Sequence, residues 1–126
     1  MESSEVERTV RVAAGQLGPI QRHHDRAAVV ERLITLLRGA SDASADLIVF
    51  PELALTTFFP RWHVAEIEQF DHWYETEMPN AATRPLFDEA RRLGVGFALG
   101  YAQLERRGDE VKRWNRMMLV DGSGEE

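Results

Sequence analysis

The sequence predicts an α/β fold in which helices cover one face of a sheet. Three observations carry that reading. Apolar residues recur at helical spacing between positions 27 and 37. Residues 47–50 form a continuous apolar run, the pattern of a parallel-sheet strand covered on both faces. The elements then follow the order strand, helix, strand, helices, strand, strand, which suits a sheet with helical crossovers.

Each element has its own signal. Residues 10–17 read as a first strand, stopped by the turn-forming pair Gly18-Pro19. Asp25 caps the helix that follows, because its side-chain oxygen accepts from first-turn N–H groups that lack helical partners. Ala27, Val30, Leu33, Ile34 and Leu37 form that helix's apolar stripe, and Gly39 with the serine-rich stretch 41–44 closes it. Pro51 cannot donate to a ladder, so the strand at 47–50 must give way there. Residues 65–77 have moderate helical character. The stretch 84–93 predicts a further helix with Leu86, Ala90 and Leu93 facing inward. Strands are predicted over 95–101 and 113–120, with Gly108-Asp109 in the turn between them. Asp121-Gly122-Ser123-Gly124 signals a second hairpin turn, which calls for a returning strand beyond Glu126.

At 126 residues, 44% apolar and 9% aromatic, the chain has the makings of one globular domain. A domain of that size buries roughly two-thirds of its unfolded surface. The net charge of −6 and fourteen scattered arginines argue against a nucleic-acid partner, which demands clustered positive charge. No apolar run approaches the ~20 residues of a membrane span, and the acidic first residues lack a signal peptide's pattern. The sequence has no cysteine, so disulfides and thiolate metal sites are excluded and a cytoplasmic location is expected.

The chemistry concentrates at Asp46-Leu47-Ile48-Val49-Phe50-Pro51-Glu52, a buried strand delivering a carboxylate to its carboxyl end. In α/β sheets that end opens onto the ligand crevice. Beside Phe50, Phe58 and Phe59 the Glu52 carboxylate is expected to be partly desolvated, which disfavours the charged form and suits a general base. The plainer alternative is an acid that caps or solvates a loop. Phe58, Phe59 and Trp62 suit a substrate mouth, but aromatics after a strand more often pack as core. His23, His24, His63 and His72 lack metal-ligand spacing. Gly94-Val95-Gly96 with Gly100 lies inside a strand and does not fit a dinucleotide loop.

Val10 to Ile20, the 47–52 strand and Leu53-Ala54-Leu55-Thr56-Thr57-Phe58-Phe59-Pro60-Arg61-Trp62 resemble the nitrilase, or carbon–nitrogen hydrolase, superfamily. Within it they look most like N-carbamoyl-D-amino-acid amidohydrolases. The likeness continues through Glu77-Met78-Pro79, Pro85-Leu86-Phe87 and the strand beginning after Gly94. It implies the N-terminal part of an αββα sandwich with a mixed sheet, a partial domain over 9–126, while residues 1–8 themselves read as a short flexible start. It also implies a Glu–Lys–Cys mechanism in which Glu52 is the general base, without metal or cofactor. The family's lysine and cysteine are expected beyond Glu126, as are the groups that bind the substrate carboxylate. Lys112, the sole lysine, precedes Trp114-Asn115 and does not match; it reads as a solvated strand-edge charge. Arg116 and Met117 depart from the small polar residues that the resemblance implies there.

The implied partners are a small N-carbamoyl amino acid or related amide, and either further copies of the chain or a complementing C-terminal segment. A half-sandwich bares an apolar sheet face, so self-association, complementation or poor solubility is expected. A non-catalytic module with the same half-fold, or a related nitrilase or amidase branch, is the alternative.

Overall fold

The computed structural model describes residues 7–126, so the flexible start expected over 1–8 lies outside the described residues except for Glu7 and Arg8. Four strands form one mixed sheet in the order β1 (Val12–Ala14), β2 (Leu47–Val49), β3 (Gly96–Arg107) and β4 (Glu110–Val120). The first three are parallel, and β4 returns antiparallel to β3. Parallel neighbours need long crossovers. Helix α1 (Arg26–Asp42) and helix α2 (Arg84–Leu93) provide them.

Both helices pack on the same sheet face. Val30, Leu33, Ile34 and Leu37 of α1 and Leu86 and Ala90 of α2 bury against Ile48, Phe97, Leu99, Met118 and Val120. Asp25 caps α1 as expected, accepting from the Ala28 N–H at 2.7 Å. The buried stripe of α1 includes Val29 and not Ala27, which is exposed. The first-turn position that faces the rest of the protein belongs instead to Arg26, paired with the buried Glu75 at 2.5 Å. Helix α2 ends at Gly94, whose φ of 69° is left-handed and costs a glycine little.

Several expectations need correction. The first strand is three residues, not 10–17, because its neighbour β2 is itself only three residues long. Residues 65–77 do not form an α-helix. They hold a 3-10 segment, Ile67–Trp73, after which Glu75 pairs beside Gln103 as an extended residue. Residues 47–50 are not covered on both faces: Ile48 is 1% exposed, whereas Val49 on the opposite face is 37% exposed.

Candidate active site

Phe50 ends the strand run by donating its N–H to the Ala98 carbonyl at 2.9 Å, and its ring enters the helix-covered core. Pro51 then breaks the ladder, and the chain arches across β3. The Ala54 N–H lands on the Gly100 carbonyl at 2.8 Å. Leu53 adopts a left-handed φ of 47° in this arch. Gly100 makes the crossing possible. A Cβ there would lie 2.9 Å from the Pro51 oxygen and 3.0 Å from the Glu52 Cα.

Glu52 therefore stands over the sheet face that the helices do not cover. Strand alternation places Asn115 on the same face, since it pairs with Ala102, two residues on from Gly100. The Asn115 amide donates to Glu52 Oε1 at 2.5 Å. Neighbouring donors on β4 are engaged elsewhere. Arg113 donates twice to Asp71 Oδ1, at 3.1 and 3.0 Å, Trp114 donates to Glu105 at 3.0 Å, and Arg116 to Gln103 at 2.5 Å.

Two depressions meet at this carboxylate. One, of about 310 Å³, is walled by Leu17, Pro19, Phe58, Arg61 and Trp62 together with Glu52. The other, of about 330 Å³, is walled by Phe58, Tyr74, Arg113, Trp114 and Asn115 together with Glu52. Burial pushes the Tyr74 phenol above its ordinary value against the opposing charge of Arg113, so it faces this space as a protonated hydroxyl.

The expected desolvation of Glu52 is not found: the residue is exposed. Of the three phenylalanines expected around it, Phe50 turns to the helix side. Phe59, 2% exposed, stacks at 5.5 Å on Trp73 in a second core with Leu53, Phe70 and Ala102. Phe59 still lines one of the two depressions, and Phe58, 42% exposed, borders both. Trp62 lines one of them, with the Arg22 guanidinium 4.6 Å above its ring. That contact ties the 18–22 loop to the wall.

Lys112 is exposed, 6.0 Å from the Trp114 ring, and alternation turns it to the face opposite Asn115. It is not aimed at Glu52. Met117 sits opposite Gly100 on the open face, 55% exposed, while Arg116 points to the other face. No pattern local to Asn115 or Gly100 marks either residue as a neighbour of Glu52. The signal was available in the two-residue Gly108-Asp109 turn, which fixes the hairpin register and so aligns Asn115 with Ala102.

Residues 11–126 match the carbon–nitrogen hydrolase family. A nitrilase from Pseudomonas syringae pv. syringae (strain B728a) is 28% identical over 123 residues, covering 92% of this chain and 34% of that protein. The amidase of Nesterenkonia sp. superposes with a TM-score of 0.66 at 23% identity, covering 92% of this chain and 40% of that one. An N-terminal amidase solved with an Asn-Glu peptide gives a TM-score of 0.64 at 18% identity over 92% of this chain and 26% of its own. One variant of the Nesterenkonia amidase carries the acetamide moiety of fluoroacetamide at its active-site cysteine. The chain spans about a third of the length of the curated relative and at most about two-fifths of these solved ones.

Proposed function

The chain belongs to the carbon–nitrogen hydrolase family, and from that premise we propose that it supplies the general base, Glu52, to a Glu–Lys–Cys hydrolase of N-carbamoyl-D-amino acids. The observation that carries this reading is the position of one carboxylate. Glu52 sits just past the carboxyl end of a parallel strand, borders two depressions, and is tied to β4 by Asn115.

The chemistry follows from what each group needs. A thiol attacks well only as thiolate, so Glu52 takes its proton. The sulfur adds to the carbamoyl carbon, and a lysine ammonium balances the oxyanion that forms. The tetrahedral intermediate collapses as the amino acid's nitrogen leaves with the proton that Glu52 returns, and a carbamoyl thioester stays on sulfur. Water, activated by the same carboxylate, then releases carbamic acid from sulfur, which breaks down to ammonia and carbon dioxide. No step calls for a metal ion. The sequence has no cysteine, and Lys112 faces away, so both remaining groups come from another part of the family's fold.

The open sheet face supports that assignment. Val12, Val49, Met117 and Leu119 are between 37% and 59% exposed on it. In an αββα architecture that face packs on the second sheet, supplied by a complementing segment within an oligomeric enzyme. No helix among the described residues is long and apolar enough to cross a membrane; a cytoplasmic site of action accords with the cysteine-free sequence.

The test mixes the chain with a separately produced C-terminal portion of an N-carbamoyl-D-amino-acid amidohydrolase bearing the lysine and cysteine. Ammonia release is then followed from N-carbamoyl-D-amino acids, simple amides and nitriles. The chain alone releases none, and the mixture prefers the carbamoyl substrates. Turnover by the chain alone near the ~10 per second of ordinary enzymes would refute the mechanism. A mixture that prefers nitriles or simple amides would move the assignment to those branches. Absence of cysteine favours one other reading, a non-catalytic module with the same half-fold; a completed mixture that binds but never turns over would establish it.

A further inference from the structure

Glu52 is an exposed side chain on a loop, and three freely rotating bonds would leave its carboxylate spread over many positions. A base acts efficiently only when its oxygen is held within hydrogen-bond reach of the proton it removes. The structure contains one group that limits this freedom. Asn115 Nδ2 donates to Oε1, and no other described residue donates to either oxygen.

Three features make this contact more than a passing surface bond. It spans 63 residues of sequence and joins the arch after β2 to the far strand of the hairpin. The backbone beneath both ends is fixed, by the Gly100 crossing at one end and by continuous β3–β4 pairing at the other. The donor is also neutral, although Arg113 and Arg116 flank it within two residues. Both arginines are committed to other acceptors, Asp71 and Gln103. A guanidinium on Glu52 would favour the charged carboxylate strongly and oppose proton uptake, whereas an amide orients it with far less penalty.

We propose that Asn115 is a positioning residue, whose amide occupies Glu52 Oε1 and so presents Oε2 to the proton that the base removes. This rests on the reading of Glu52 as general base. It adds a residue from the strand opposite the arch to the machinery that sets the carboxylate's direction.

The experiment follows side-chain NMR signals of the chain itself, labelled with 15N and 13C. On acidification the Asn115 side-chain amide resonances shift, and that shift is lost in Glu52→Gln. The Asn80 amide, which donates to Glu75 at 2.8 Å, is the internal control and keeps its behaviour in the variant. In Asn115→Ala the χ1 couplings of Glu52 collapse to rotamer averages, while hydrogen exchange of the β3 amides stays unchanged. A purely structural asparagine would instead alter exchange along the hairpin and leave the Glu52 rotamers in place. An Asn115 resonance insensitive to pH, or one that still titrates in Glu52→Gln, overturns the proposal. Turnover is scored separately: a completed enzyme that loses activity in Glu52→Gln with a silent Asn115 signal retains the base and removes the positioning role. Full activity in Glu52→Gln with a titrating Asn115 does the reverse.

Discussion

Glu52 reaches the open face because position 100 has no side chain. A methyl group built there meets the Pro51 oxygen at 2.9 Å and the Leu53 nitrogen at 3.2 Å, and both are backbone atoms that cannot rotate aside. Gly100→Ala is therefore expected to destabilise the fold by about 1–3 kcal/mol, measured by urea denaturation. It should also weaken the Asn115–Glu52 contact by lifting the arch. In an ordinary strand interior the same change would help slightly, since glycine there has an entropic cost. An unchanged or raised midpoint would mean that the arch does not press on β3. At this scale the sequence shows the acid and its strand, but not what holds the acid. The Pro51–Leu53 crossing depends on a long-range backbone contact, and no local pattern announces it.

The two helices are fastened to each other as well as to the sheet. Arg38 of α1 reaches Glu89 of α2 at 2.7 Å, and Arg92 of α2 bonds the same carboxylate. Hydrogen bonds from Arg92 and then Arg38 hold Glu89 at about 2, well below the ordinary carboxylate range. A carboxylate depressed by folding adds stability above its unfolded value, and that contribution fades as pH falls toward the folded one. The melting temperature should thus drop between about pH 4.5 and pH 2, less steeply in Glu89→Gln; identical slopes would exclude this clamp. Asp25→Ala should cost about 1 kcal/mol by removing the cap on α1, read by thermal unfolding. The element signals were clearest where local chemistry decides. Helix α2 carries the predicted bounds, with Pro85 in its first turn and Gly94 after its end. Strand β3 runs six residues past the predicted 101 because its far half is a two-stranded ribbon beyond the helices. There Leu104 is buried while Glu105 is half-exposed and Arg106 exposed, so no continuous apolar run marks it. The stretch 65–77 misleads because aromatic packing of Phe70 and Trp73 against Phe59 outweighs its helical preference.

The molecule as a whole presents one finished face and one bare face. Leu119 and Met117 are each more than half exposed on the same face as Val12 and Val49, an arrangement that a soluble monomer seldom keeps. The chain is expected to self-associate in sedimentation at micromolar concentration, and Met117→Lys with Leu119→Glu should shift it toward monomer. A compact monomer with no dye-accessible apolar surface would contradict this. A sheet with helices on one face was legible from element order, but the sequence did not show that Glu52 and the bare apolar surface share the other face. That arrangement places the proposed base where a second sheet would bring its partners. The most direct measurement is ammonia release from an N-carbamoyl-D-amino acid by the chain completed with a lysine- and cysteine-bearing segment, comparing the wild type with Glu52→Gln. A loss of about 100- to 10,000-fold in kcat is expected if Glu52 is the general base. Undiminished turnover in Glu52→Gln would exclude that role.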